Sequence, residues 1–434
     1  MIVVDHALAE RVLQGRPVNV GLVGAGFSGS RIAHQIVTAV PGLRLAAIAN
    51  RTIEHAEAAY GMAGVQRTRR VDDPEGLSRA IHANDYAVAQ DPAALWACPE
   101  IEVILEATGT VEHGAQVALE AIGHGKHVVL VNVEMDATVG PILRQYADRA
   151  GVIITDSDGD EPGVAMNMIR FVRSIGLEPR VAGNLKGLYD PYRSPATQAD
   201  FARRNNQKPE TMTSFADGTK LSMELTVLAN ATGFGVARRG MYGPALEDVH
   251  AAPEYYADRL RDGGMVDYLC GARPANGAFV LGCTEDPVRV DYLRYLKMGN
   301  GPLYVFYTPF HLPHLEVPNT VARAALCGDA TVTPLGTPVA DAVAVAKRDL
   351  EPGEILDGIG GYCCYTLIEN HSDARAEGLL PMGVSEGCRV TRRVKKDSPV
   401  RYADVELPEG RLCDRLRTEQ DAVAVRHVEE GAIA

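Results

Sequence analysis

The chain has little that would suit it to nucleic acid, a membrane or a disulfide framework. Its 434 residues carry 43 Lys and Arg against 56 Asp and Glu, a formal net charge of −13, so the concentrated basic face that nucleic-acid binders need is missing. No run of about 18 apolar residues occurs, which leaves no candidate for a membrane-spanning helix. The eight cysteines are scattered. The only close pair is Cys363–Cys364, and no CxxC or Cys/His spacing suggests zinc. A chain of this size needs no disulfides, so reduced thiols and a cytoplasmic location are expected. The opening stretch MIVVDHALAERVLQGRP contains acids and no small-residue cleavage site after an apolar core. It reads as a short amphipathic helix rather than a signal peptide.

What is present is a soluble globular composition, with 46% apolar and 23% charged residues, and enough length for two or three domains. Residues 18–30, VNVGLVGAGFSGS, run from an apolar strand into Gly24-x-Gly26-x-x-Gly29 and then a helical pattern. Strand, glycine turn and helix in this order form a dinucleotide-binding fingerprint, in which helix N-terminal N–H groups receive a pyrophosphate. Gly24, Gly26, Phe27, Ser28 and Gly29 are therefore candidate cofactor residues. The second strand, LRLAAIAN, ends at Asn50 and Arg51, where an NAD enzyme usually carries a carboxylate for the ribose 2′-hydroxyl. A guanidinium suits a 2′-phosphate instead, so NADP(H) is expected. The stretch from VQRTRRV to Trp96 reads as an inserted helical region. The strands EVILEAT and GKHVVLVN then bring Thr108, Gly109 and Asn132 to the nicotinamide side.

The next strand, GVIITD, ends in an acidic burst, Asp156, Asp158, Asp160 and Glu161, before a helix starting at Pro162. The glycine and closing glutamate of a calcium-binding EF-hand are missing. Carboxylates at a helix start can cap it, and their number also suggests a cation. Asp158, Asp160 and Glu161 are candidate ligands for Mg²⁺ or Mn²⁺. Lys186 sits at another strand end. In DGTKLSMEL, Lys220 and Glu224 stand four apart on a segment, 218–232, that is apolar nearly all round. A buried charge costs several kcal/mol unless it is paired, and Lys before Glu is the weaker order for a surface staple. An internal pair facing a polar cleft is the better reading, with the lysine placed to polarise or protonate a carbonyl oxygen. His311 and His314 lie in YTPFHLPHLEVP, a strand-to-helix turn.

The order of Rossmann domain, EATGT strand, GKHVVLVN strand and GTxxxxxEL helix resembles the homoserine dehydrogenase family. That family carries an aspartate and, four residues on, a catalytic lysine on the corresponding helix. Here Lys220 stands at the aspartate's place and Glu224 at the lysine's, and the lysine after the GKHVV strand is replaced by NVEMD. The DGD-x-PG, GTK and HLxxLE-like segments resemble a reductoisomerase-like offshoot that acts on 1-deoxy-D-xylulose 5-phosphate and ends in a SAF domain. The resemblance implies an α/β chain with a Rossmann NADP-binding domain (1–155), a central α+β catalytic and dimerising domain (156–335) and a small β-rich SAF-like domain (336–434). It also implies Lys186, Lys220, Glu224 and His311 as catalytic residues, a phosphorylated sugar or polyol as substrate, and a homodimer or higher homo-oligomer. The alternatives are a dehydrogenase of another polyol, sugar or hydroxy acid, and a nucleotide- or carbohydrate-binding sensor. The basic run Arg392, Arg393, Lys395 and Lys396 reads as a solvated face.

Overall fold

The computed structural model describes residues 4–431, the last seven as backbone. The chain forms two compact units, residues 1–163 with 312–336, and 164–311 with 337–434. Three consecutive domains were expected from the sequence. Instead the segment after 311 returns to the first unit, and the C-terminal segment belongs with the second.

The first unit opens with helix α1 (Asp5–Leu13) and strand β1 (Val18–Val23), followed by α2 (Phe27–Ala39), β2 (Leu43–Ala49) and α3 (Ile53–Met62). Next come β3 (Thr68–Arg70), α4 (Pro74–His82), β4 (Tyr86–Ala89) and the short α5 (Ala93–Trp96). The region read as an inserted helix thus adds two strands to the sheet. TRR and YAVA are too short for period-two alternation to be visible. The rhythm resumes with β5 (Val103–Glu106), α6 (Val111–Gly123), β6 (His127–Leu130), α7 (Val133–Ala150) and β7 (Ile154–Asp156). The strands form one seven-stranded sheet in the order β3-β4-β2-β1-β5-β6-β7, with every pairing parallel. Strands covered by helices on both faces read as near-continuous apolar runs, and β1, β2 and β5 do apart from Asn19, Arg44 and Glu106.

Helix α8 (Glu161–Ser174) leads into the second unit, where β8 (Glu178–Lys186), α9 (Pro195–Arg204), α10 (Pro209–Ala216) and α11 (Thr219–Thr232) follow. After α12 (Ala252–Tyr256), β9 (Met265–Cys270), β10 (Ala278–Cys283), α13 (Pro287–Tyr295) and β11 (Leu303–Thr308) complete a four-stranded sheet in the order β11-β10-β8-β9. Helix α14 (Pro313–Ala322) belongs to the first unit. Its Val317, Val321 and Ala322 enter the same apolar cluster as Val20, Leu22 and Ile32. The tail forms β12 (Ala340–Ala346) paired antiparallel with β13 (Cys364–Asn370), then α15 (His371–Ala376), the two-residue strands β14 (Arg389–Val390) and β15 (Val405–Glu406), and α16 (Leu412–Gly431). Asp341 on β12 is buried against Arg417 of α16 and His371 of α15, each at 2.7 Å. Burial alone would raise the Asp341 carboxyl, but the Arg417 charge and the His371 contact hold it well below the ordinary range.

Helix α11 explains its own composition. It packs against β8 and β9 and against β12 and β13. Twelve of its fourteen residues are buried. Burial of Leu221, Leu225 and Leu228 stabilises it by roughly 1.5–3 kcal/mol each. Its polar stripe is also satisfied. Ser222 Oγ donates to Thr366 O at 3.0 Å, and Asn230 Oδ1 accepts from the N–H groups of Val339 at 2.7 Å and Ala340 at 3.0 Å.

Candidate active site

In the first unit the glycine loop has the form a pyrophosphate requires. Gly24 has φ +102°, and a Cβ there would lie 2.5 Å from Ala107 O. A Cβ on Gly29 would lie 2.0 Å from Gly24 O, so helix and loop touch through backbone alone. Gly26 is the N-cap of α2, makes no side-chain cap, and has nothing within 4 Å of a Cβ position. With no acid in the first turn of α2, the helix offers an uncovered positive end to an anion. These residues fit a nicotinamide dinucleotide.

The neighbouring candidates play mixed parts. Phe27 lies under the Arg31 guanidinium, 3.7 Å from ring centre, and meets His314 edge-on at 5.8 Å. Ser28 stands in the first turn of α2. Asn50 works as a staple: its Oδ1 accepts from Ala25 N–H at 3.0 Å and its Nδ2 donates to Thr52 O at 2.7 Å. Arg51 beside it is exposed. At the ends of the adjacent strands β5 and β6, Thr108 donates its N–H and hydroxyl to Glu106. Gly109 has φ +68° and open space around it. Asn132 caps α7 through Met135 N–H and donates to Thr110 O. Glu106, which the sequence reading passed over, is buried under this edge, and burial raises its carboxyl.

Of the acidic burst, Asp158 departs from the expected metal role because its oxygens are engaged by protein donors. Its Oδ1 meets Arg323 Nη1 at 2.5 Å, and its Oδ2 accepts from the Thr320 and Thr331 hydroxyls at 3.0 and 2.9 Å. Arg323 is fully buried. The carboxylate therefore anchors the returning segment to the end of β7. Asp160 stands immediately before α8 and Glu161 in its first turn, the first half-buried and the second buried. His311, half-buried, lies in the turn that follows β11.

In the second unit, strand alternation decides which β8 side chains reach α11. Val181 and Leu185 enter the apolar cluster with Tyr256 of α12. Asn184 and Lys186, two apart, share the other face. Glu224 of α11 meets both: Asn184 Nδ2 donates to its Oε2 at 2.6 Å, and Lys186 Nζ lies 3.3 Å from the same oxygen. Lys220 Nζ is 3.7 Å from Oε1. The Glu224 side chain is 2% exposed, whereas Lys186 and Lys220 are 19% and 16% exposed. One buried carboxylate thus holds two ammonium groups that retain access to solvent. This is no surface staple. Two cations beside one acid can accept an anionic group or stabilise oxygen charge that develops during reaction. Asn184 was missed by the sequence reading, although its place two residues before Lys186 carried the signal.

A Rossmann sheet with an uncovered glycine loop, in a chain that also holds a buried carboxylate with two lysines, defines an oxidoreductase that works with a nicotinamide dinucleotide. Residues 24–155 match the homoserine dehydrogenase NAD binding domain, and residues 159–317 match the catalytic domain of oxidoreductase DRL. The two matches together support a homoserine dehydrogenase-like DRL oxidoreductase. It is 26% identical over 204 residues to a homoserine dehydrogenase of Synechocystis sp., covering 44% of this chain and 46% of that protein. The chain therefore spans about half the length of the curated relative it matches. Among solved structures it is similar to a putative myo-inositol dehydrogenase from Sinorhizobium meliloti, with 14% identity, TM-score 0.41, and coverage of 74% of this chain and 92% of that one. It is also similar to 1-deoxy-D-xylulose 5-phosphate reductoisomerase from Zymomonas mobilis in complex with NADPH, with 19% identity, TM-score 0.32, and coverage of 48% and 57%.

Proposed function

We propose that the protein reduces and isomerises 1-deoxy-D-xylulose 5-phosphate to 2-C-methyl-D-erythritol 4-phosphate with NADPH, in the cytoplasm and as a homo-oligomer. The observation that carries this reading is the Lys186–Glu224–Lys220 cluster within the segment that matches the DRL catalytic domain. A nicotinamide dinucleotide supplies a hydride when bound, and the glycine loop of α2 is the place for its pyrophosphate. Arg51 favours the 2′-phosphate of NADPH. Asp160 and Glu161 would hold a divalent cation, which would supply Lewis-acid polarisation of substrate oxygens. His311 is a candidate general acid or base.

The residues of the cluster divide the work by exposure. Glu224, held in one rotamer by Asn184, keeps both ammonium groups charged and oriented. Lys186 and Lys220 donate hydrogen bonds to the substrate oxygens that gain negative charge, and one of them delivers the proton that follows the hydride. The exchanged order of charge relative to homoserine dehydrogenases puts a carboxylate where those enzymes carry their lysine, which favours a sugar phosphate over homoserine. The test follows NADPH absorbance with a panel of phosphosugars, polyols and homoserine, with Mg²⁺ and with excess EDTA. Turnover of 1-deoxy-D-xylulose 5-phosphate that needs the cation supports the reading. Turnover of another substrate alone, undiminished in EDTA, replaces it with a plain dehydrogenase. Calorimetry tests the cofactor: Arg51→Asp lowers NADPH affinity about tenfold while NADH binding is kept, and equal affinity of the wild type for both removes Arg51 from the argument.

A further inference from the structure

Lys186 and Lys220 reach Glu224 from segments far apart in the chain, and both segments are fastened by one lysine of the C-terminal tail. Lys347, at the end of β12, is buried. Its Nζ donates to Arg193 O and to Gly361 O, each at 2.7 Å, and lies 2.7 Å from Asp217 Oδ2. Each contact has a distinct consequence. Arg193 belongs to the loop that leaves β8 beyond Lys186. Asp217 closes α10 and holds the start of α11: its Oδ1 accepts from the N–H of Thr219, the first residue of α11, at 2.9 Å, one residue before Lys220. Gly361 belongs to the tail itself, in the loop before β13. The loop and the helix start also touch directly, since a Cβ on Gly218 would lie 2.2 Å from the Tyr189 ring.

Further contacts run in the same direction. Tyr192 Oη donates to both oxygens of Asp397 at 3.0 and 2.9 Å, and the Lys396 ammonium sits 3.8 Å from the Tyr192 ring centre. The Thr366 and Thr219 hydroxyls lie 3.3 Å apart. The tail therefore grips the loop after β8 and the first turn of α11 at the same time. Lys347 binds both and is buried together with its carboxylate partner, which is itself fully buried.

We propose that Lys347 is a positioning residue, which sets the separation of Lys186 and Lys220 around Glu224 by clamping the two segments that carry them. The inference rests on the reading of that cluster as the reaction site. It gives the C-terminal segment a part in catalysis without placing it against substrate. A flexible ammonium with three donors suits the task, because two carbonyls and a carboxylate approach it from three elements. A shift of about 1 Å in a positioned group can cost 10²-fold in rate, so the clamp acts on kcat rather than on cofactor binding.

The experiment compares Lys347→Met with the double variant Asp217→Asn/Lys347→Met. The single variant leaves Asp217 buried without its cation, and a lowered melting temperature is expected from that alone. The double variant removes both charges and restores the melting temperature, while the bonds to Arg193 O and Gly361 O stay lost. Two readouts separate positioning from stability. With NADPH and 1-deoxy-D-xylulose 5-phosphate, kcat of the double variant falls about tenfold or more while KM for NADPH stays within about twofold. In protein labelled with ¹³C at the lysine ε-carbon, the Lys186 and Lys220 resonances move, each assigned by its own Lys→Arg variant. A double variant with wild-type kcat and unmoved resonances overturns the clamp. If the wild type does not turn over this substrate, the functional reading falls and the resonances alone decide on the clamp.

Discussion

The glycine loop and the lysine–glutamate cluster bind charge by opposite means. In the loop, everything offered to a phosphate lies within residues 24–29 and consists of backbone: a left-handed glycine, a close glycine contact and an uncovered helix start. In the cluster, Glu224 meets an asparagine and a lysine 40 and 38 residues earlier in the chain, and its setting depends on a lysine still further on. The loop uses fixed dipoles that need no side-chain partner. The cluster uses full charges, which are costly to bury and must be paired by residues from several elements. A backbone site can be written as a motif, whereas a charge cluster is a property of packing.

Removal of one ammonium is expected to break the comparison most sharply. Lys220→Met lowers kcat by roughly 10²-fold or more with the melting curve kept, as for loss of a positioned acid or electrostatic group. Glu224→Gln lowers it by about tenfold. The double variant is no worse than the worse single one, because groups that act as a unit are not additive. Steady-state kinetics beside melting curves check this set, and wild-type rates in Lys220→Met return the pair to a structural role.

The loop should respond in stability or in binding according to the glycine changed. Gly29→Ala forces a Cβ against Gly24 O and costs about 2 kcal/mol of stability, in the range of overpacked cores. Gly26→Ala meets no protein atom. It leaves the melting temperature unchanged and weakens NADPH binding about tenfold, since its Cβ stands where the pyrophosphate approaches. Equal effects of the two substitutions on melting and on calorimetric affinity would remove the distinction between packing glycine and cradle glycine.

The smallest effect concerns pH. Asp136 in the first turn of α7 is buried, and burial pushes its carboxyl up to about 7. The unfolded chain releases this proton near pH 4, while the folded protein holds it until about pH 7. Stability therefore declines as pH rises from about 4 to 7 and is level above. Asp136→Asn removes that slope, so its stability rises relative to the wild type between pH 5 and pH 8. Denaturant melts at the two pH values measure it, and parallel curves for both proteins would show that Asp136 ionises normally.

Much of the first unit was legible because its signals are local. The strands Val18–Val23 and Leu43–Ala49, the glycine turn and α2 all follow from runs of consecutive residues. The strands TRR and YAVA were not, since three or four residues carry no period and only the neighbouring strands stabilise them. On α11 the i,i+4 spacing of Lys220 and Glu224 was legible, and so was burial, from an apolar pattern without a polar face. The partners Asn184 and Lys347 were not, because a sequence does not state which strand face or which later segment a helix packs against.

Asp158 marks the boundary between the two kinds of information. By itself it is one more acid in a run of acids beside a helix start, and a cation is a reasonable reading. Its outcome depends on Arg323, 165 residues later, which the return of the chain through 312–336 buries against it. The sequence by itself determined the Rossmann rhythm, the phosphate-binding loop and the presence of a charged pair on a buried helix, because backbone conformation and helical periodicity are short-range. Only the tertiary structure decided which carboxylate is consumed by an internal arginine and which gathers two lysines, because a buried charge takes its role from whichever partner the fold delivers to it.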